Sequence, residues 1–134
     1  MEYVENKYRL PVLETLRGCS TWTTWEWPTE ERGGMFISPR IDCSSLRIRQ
    51  SKPGYFADWH VAGEPVLIII QQGVLRIGLH DGEKRDFGEG EAFIAADKLP
   101  EGESFDPERH GHTAKVVSET TLRAIHIKLS DFPI

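Results

Sequence analysis

Five histidines are the residues best suited to chemistry in this chain, and their spacing is uneven. His60 closes the run Tyr55-Phe56-Ala57-Asp58-Trp59-His60, while His110 and His112 open a later one, two residues apart and so on one face of an extended strand. His126 lies inside the run TTLRAIHIKL near the C-terminal end, and His80 abuts an Asp81-Gly82 turn, where solvent is its expected environment. Two strands from distant parts of the chain, each bringing histidine to its end, are raw material for two kinds of site. Neutral imidazoles bind iron, copper, zinc or nickel, with a carboxylate such as Asp58 completing the set. Alternatively, His60 and His112 line a metal-free pocket as hydrogen-bonding or acid/base groups. A third reading leaves them as polar remnants in a barrel that holds no ligand.

The elements that must position these groups read as strands. Glycine and proline punctuate the sequence at short intervals and the stretches between alternate, which points to an all-β sandwich or barrel. Residues 45–50 put Leu46 and Ile48 on one face and Arg47 and Arg49 on the other, and Pro53-Gly54 turns the chain into 55–60. There, a strict period of two places Phe56, Asp58 and His60 together. Residues 65–72 are apolar and rich in β-branched side chains, as a strand buried on both faces requires. Further strands are expected over 74–80, 83–87, 91–96, 113–118 and 120–129, with Asp81-Gly82 as a two-residue hairpin turn. If His60 faces inward, Val66, Ile68 and Ile70 of the neighbouring strand line the same pocket. Arg47 and Arg49 fit an exposed edge strand, and would offer a carboxylate-binding group only if their face turned inward.

Two segments break the rhythm. Pro11 at the start and Gly18 after the end of 11–17 suggest a short helix. In 21–27, Trp25 and Trp27 share a strand face, expected to pack on the core or cover a subunit interface. Residues 97–111 hold two Pro, two Gly and seven charged residues, and read as a long loop.

The totals bound the remaining choices. At 134 residues the chain is one domain, with 1–44 preceding a barrel core over 45–129. A net charge of -5 without any basic stripe argues against a nucleic-acid partner. Cys19 and Cys43 form neither a zinc motif nor a disulfide framework, which suits reduced thiols. No apolar run is long enough to span a bilayer, and the acidic opening Met1-Glu2-Tyr3-Val4-Glu5 is unlike a signal peptide. A cytoplasmic protein, off the membrane, is the expectation.

The frame Gly54, His60, Ala62, Val66, Gly73 matches the spacing of the first cupin motif, G-x5-H-x-H-x3,4-E-x6-G, without a shift. Gly90, the run EAFIA, the loop and His112 are similar to the second motif. DWHVA, DGEKRDFGEGEAFIAAD and GHTAKVV also resemble a narrower group of small cupins without an assigned function. The resemblance covers about residues 45–129 and implies a cupin-type jelly-roll β-barrel, a double-stranded β-helix. It further implies a small organic ligand or substrate, a homodimer, and in metal-binding members a divalent ion such as iron, zinc, nickel or manganese. The ligands there are two histidines and a glutamate of the first motif and the histidine of the second. Only His60 and His112 remain in this chain, because Ala62 and Val66 stand where a histidine and the glutamate would be. A rebuilt site would need His110, Asp58 or His126 as a third ligand.

The connection from Asp97 to His112 is longer than in that group of small cupins and suggests a lid or a specificity loop contributing Phe105, Arg109 or His110 to the pocket. Two functional classes stay open. One is an enzyme of isomerase, lyase, cyclase or oxygenase type, with His60 and His112 as catalytic groups. The other is a binding or sensing barrel whose ligand-binding residues are Phe56, Asp58, Val66, Ile68, Ile70, His110 and His126.

Overall fold

A computed structural model describes residues 2–4 and 7–133, the first three as backbone only, so most of the acidic opening has no structural account. Thirteen strands and no helix make up the described residues. They are β1 (Glu2–Val4), β2 (Lys7–Leu16), β3 (Cys19–Pro28), β4 (Glu30–Arg32), β5 (Met35–Ile37), β6 (Cys43–Ser51) and β7 (Phe56–His60). After them come β8 (Val66–Gln72), β9 (Leu75–Gly78), β10 (Lys84–Phe87), β11 (Ala92–Ala95), β12 (His112–Val116) and β13 (Leu122–Leu129). No helix is long and apolar enough to cross a membrane.

A seven-stranded sheet runs β1-β2-β11-β8-β13-β6, with β3 on the other side of β2, and faces a four-stranded sheet of order β10-β9-β12-β7. Nearly every pairing is antiparallel; the parallel exception is β11 with β2. Strands neighbouring in space are mostly distant in sequence, the jelly-roll pattern in which the chain alternates between two sheets. The strand-by-strand expectation for 45–129 holds, with one local change. The turn after β9 takes residues 79–83 instead of two, and the Asp81 carboxylate accepts from the Glu83 amide at 2.8 Å.

The expected helix over 11–17 is instead the second half of β2. Leu10 and Val12 pack on one face of the sheet and Leu13 on the other, a period of two that a helix cannot satisfy. Gly18 does not cap a helix. Arg17 (φ 53°) and Gly18 (φ 83°) both adopt left-handed backbone and join Leu16 to Cys19, the twist a two-residue hairpin needs.

Burial forms two layers. Between the sheets lie Leu13, Ile68, Ile70, Ile77, Phe87 and Phe93 among others, with Trp22 against Phe87 and Phe93. On the outer face of the larger sheet, Leu10, Val12 and Ile94 are covered by Tyr8, Trp25, Trp27 and Phe132. Trp25 and Trp27 therefore share a face, as read, and pack inward. The β8 run serves both layers, Ile68 and Ile70 inward and Leu67 outward, which accounts for its uninterrupted apolar sequence.

Candidate functional site

A cavity of about 80 Å³ opens where the edge strands β6 and β7 of the two sheets come together. Ile68, Leu75, Ile77, Phe93 and Leu122 make its walls, and its polar lining is Arg49, Ser51, Tyr55, His60, His112 and His126. Its composition, an apolar body with a few convergent polar groups, is that of a small-molecule site.

β7 delivers His60 by an irregularity that period-two reasoning does not anticipate. His112 faces His60 and Ala114 faces Ala57, so Asp58 and Trp59 together oppose Thr113. This bulge inverts the alternation within β7. Ala57 and His60 consequently line the cavity, whereas Phe56 is 53% exposed and Asp58 is exposed. The expected pocket roles of Phe56 and Asp58 are corrected accordingly. Asp58 works locally instead: its carboxylate accepts from the Trp59 amide at 2.8 Å, and its carbonyl oxygen lies 2.6 Å from His60 Nδ1. Trp59 stacks on His80 with centroids 3.7 Å apart, and His80 Nε2 lies 3.2 Å from the His110 carbonyl oxygen, so His80 is not simply solvated.

β12 delivers His112, and Gly111 lets it approach. Gly111 has φ +85°, and a Cβ there would collide with the backbone of His60. The rings of His60 and His112 stand 4.4 Å apart between centroids, inclined by 52°. Behind His112 lies Asp97, fully buried, a residue the sequence reading treated only as the start of a loop. Asp97 Oδ2 accepts from Ser20 Oγ at 2.6 Å and pairs with His112 Nδ1 at 2.7 Å, while Oδ1 accepts from the Ala62 amide at 2.9 Å. Burial pushes the Asp97 pKa up, but His112, Ser20 and the Ala62 amide together hold it below the ordinary carboxylate value. A signal for this residue existed in the run EAFIAAD, where Asp97 follows five consecutive apolar positions, 92–96, yet nothing local ties it to His112.

These contacts fix the tautomers. An ionised carboxylate and a carbonyl oxygen only accept, so Nδ1 of both His112 and His60 carries the proton and Nε2 is the free ring nitrogen. Burial and the neighbouring His112 lower the His60 pKa, against the Asp58 carbonyl, which raises it. His126, on β13 beside β6, is lowered to about 4 by burial and by the charges of Arg49 and Arg47. Both are neutral acceptors near pH 7.

The remaining expected site residues divide. Ile68 and His126 line the cavity as read. Ile70 is buried in the core and Val66 packs against it, neither reaching the cavity lining. His110 is fully buried elsewhere: its Nδ1 accepts from the Asp106 amide at 2.9 Å and Nε2 lies 3.1 Å from Glu103. His110 thus staples the 97–111 loop to itself. The loop also docks on the β2–β3 hairpin, through Thr15 to the Lys98 backbone and Arg109 packed over Gly18. Phe105, Arg109 and His110 contribute nothing to the cavity, so the expected lid is a buttress on the opposite hairpin.

A transition metal of the kind the cupin resemblance implies does not fit this lining. Among the described residues no three His, Cys, Asp or Glu side chains are grouped to hold an ion. Ala62 packs against the core and donates its amide to Asp97, and Val66 is also core-packed; of the suggested third ligands, Asp58 and His110 lie outside the cavity, and His126 lines it but is not grouped with His60 and His112 to hold an ion. Four-ligand or three-ligand binding has no donor set here.

No known family model matches the sequence, and no curated protein does. Among solved structures, a cupin domain from Bordetella pertussis Tohama I is similar at 15% identity and a TM-score of 0.46, over 68% of this chain and 88% of that one. A cupin superfamily protein from Desulfitobacterium hafniense DCB-2 is similar at 16% identity and a TM-score of 0.46, over 76% and 84%. The Schizosaccharomyces pombe Cnp3 cupin domain is similar at 10% identity and a TM-score of 0.46, over 96% and 90%. The jelly-roll assignment rests on the strand order above and not on these likenesses.

Proposed function

We propose that the protein binds a small organic molecule between its two sheets and exchanges a proton with it through His112. The observation that carries this reading is the Asp97–His112 pair, with Asp97 fully buried and its Oδ2 2.7 Å from His112 Nδ1. A buried, ionised carboxylate holds the imidazole in one tautomer and stabilises the imidazolium that forms when Nε2 takes a proton. His60 adds a second, neutral acceptor beside it, its ring in contact with that of His112 at 4.4 Å between centroids. Proton abstraction and return, as in an isomerase, needs only these groups, and a lyase would use the same abstraction with the imidazolium giving its proton to the departing group. The oxygenase reading has the least support, because it depends on a metal for which the donors are missing.

The test is a screen of small metabolites against the full chain, following the ring signals of His60 and His112 by nuclear magnetic resonance. A ligand of this pocket shifts both, and binding is lost in His112→Ala; unchanged affinity in His112→Ala would sink the assignment. Solvent-deuterium exchange into the bound ligand then separates the two classes. Exchange that depends on Asp97 identifies an enzyme, and tight binding without exchange identifies a sensing or carrier barrel.

A further inference from the structure

Resting on the pocket reading above, we propose that the ligand is a compact carboxylic acid, its carboxylate held by Arg49 at the cavity mouth.

Arg49 lines the cavity from β6, on the strand face it shares with Arg47 and Ser51. Among the described residues no carboxylate forms an ion pair with Arg49 or Arg47, although arginines elsewhere in the chain are paired, as Arg9 is with Glu26 and Arg76 with Asp86. Asp97 cannot neutralise them, since its oxygens are already engaged by His112, Ser20 and the Ala62 amide. The mouth therefore carries uncompensated positive charge above an apolar body, and a guanidinium fork matches a planar carboxylate. Ser51 and Tyr55 beside it can donate further hydrogen bonds.

Size and backbone argue for a carboxylate over a phosphate. A cavity of about 80 Å³ admits only a compact molecule. Phosphate sites are commonly built from free backbone amides at turns or helix starts. Here the lining comes mostly from strands whose amides belong to ladders, and the Trp59 amide at the bulge is taken by the Asp58 carboxylate. An acid bound at Arg49 would lie in the same cavity as both imidazoles, where an acidic C–H or O–H group is what His112 can act on.

The experiment titrates the full chain with acetate, propionate, lactate and pyruvate, with the corresponding amides, and with inorganic phosphate, following the His60, His112 and His126 ring signals. Arg49 is exposed on an edge strand, so Arg49→Gln is expected to fold normally, with unchanged near-ultraviolet circular dichroism. At least one carboxylate is expected to move the ring signals, its amide to bind about tenfold more weakly or worse, and Arg49→Gln to cost about as much, the scale of a charge-assisted hydrogen bond. Arg49→Lys should recover part of the loss. Ring signals that respond equally to acids and amides, or to acids equally in Arg49→Gln, overturn the carboxylate assignment and leave the pocket standing. Tighter binding of phosphate than of any acid also overturns it. Ring signals that no probe moves overturn this inference and the pocket reading together.

Discussion

At the scale of single residues, the behaviour of this site turns on which charges are compensated. Asp97 is buried and its pKa is depressed, so its contribution to stability is present above the unfolded carboxylate value of about 3.9 and fades as pH falls through the lower folded value. Asp97→Asn keeps the shape and loses the charge. It is expected to lower stability by about 1–3 kcal/mol at pH 7 and to flatten the loss below about pH 4, read from urea midpoints across pH. His126 behaves in the same sense, over a higher pH window. Its folded pKa of about 4 lies below the unfolded value, so acid favours the unfolded chain. Stability should be full above about pH 6.5 and decline from there towards pH 4. His126→Gln should remove that decline, and an unchanged pH profile would show that His126 is not held neutral by burial and its arginine neighbours. Metal follows the same logic of donors. Purified protein is expected to carry far less than one transition ion per chain by elemental analysis, and a chelator should leave its thermal midpoint unchanged.

At the scale of elements, two local irregularities build the pocket. The bulge at Asp58–Trp59 turns His60 inward, and Gly111 brings β12 close enough to set His112 beside it. Gly111→Ala asks a residue with a Cβ to adopt φ +85° against the His60 backbone, and both the strain and the collision must be relieved by moving one strand end. A loss of about 2 kcal/mol or more in unfolding free energy is expected, with the His60 and His112 ring signals displaced even at temperatures where the fold persists. A variant that kept both signals in place would show that close approach at Gly111 does not set the pair. The 97–111 loop belongs to this scale as well. Its length suggested a lid or specificity loop, but Thr15 on the Lys98 backbone and Arg109 over Gly18 commit it to the β2–β3 hairpin, away from the cavity, while His110 ties the loop to itself.

At the scale of the whole molecule, the edge strand β6 leaves an apolar face uncovered by the described residues. Trp25 and Trp27, suggested by sequence as interface residues, pack with Phe132 on the outer layer. At the other end of that same sheet, β6 is a nine-residue edge strand with Leu46 61% and Ile48 67% exposed, directly across from Ile127 and Ile125. An edge so long and apolar is prone to pairing with another chain. We propose β6 as the pairing edge for the homodimer that the cupin resemblance implies. Leu46→Lys with Ile48→Lys should shift sedimentation towards the monomer at micromolar concentration, and a dimer unaffected by the pair would have to form elsewhere.

What the sequence determined by itself is the part written in local alternation. The all-β class, the strands from 45 to 129, the double burial of β8 and the shared face of Trp25 and Trp27 follow from side-chain period and glycine placement. Ile68 was legible as a cavity residue for the same reason, whereas the histidines at 60, 112 and 126 stood out by residue type and, for the first two, by the cupin spacing. Tertiary structure decided everything that depends on a partner distant in the chain. β2 is a strand and not a helix because β3 and β11 pair with it. Phe56 and Asp58 left the pocket through a bulge that exists only in register with β12. Folding set Asp97 behind His112, and it decided which way the Arg49 face turns, placing Arg49 on the cavity wall. Periodicity is a property of neighbours along the chain, whereas a charge's compensation is a property of neighbours in space. The fold could therefore be read from the residues in order, but the chemistry of the pocket could not.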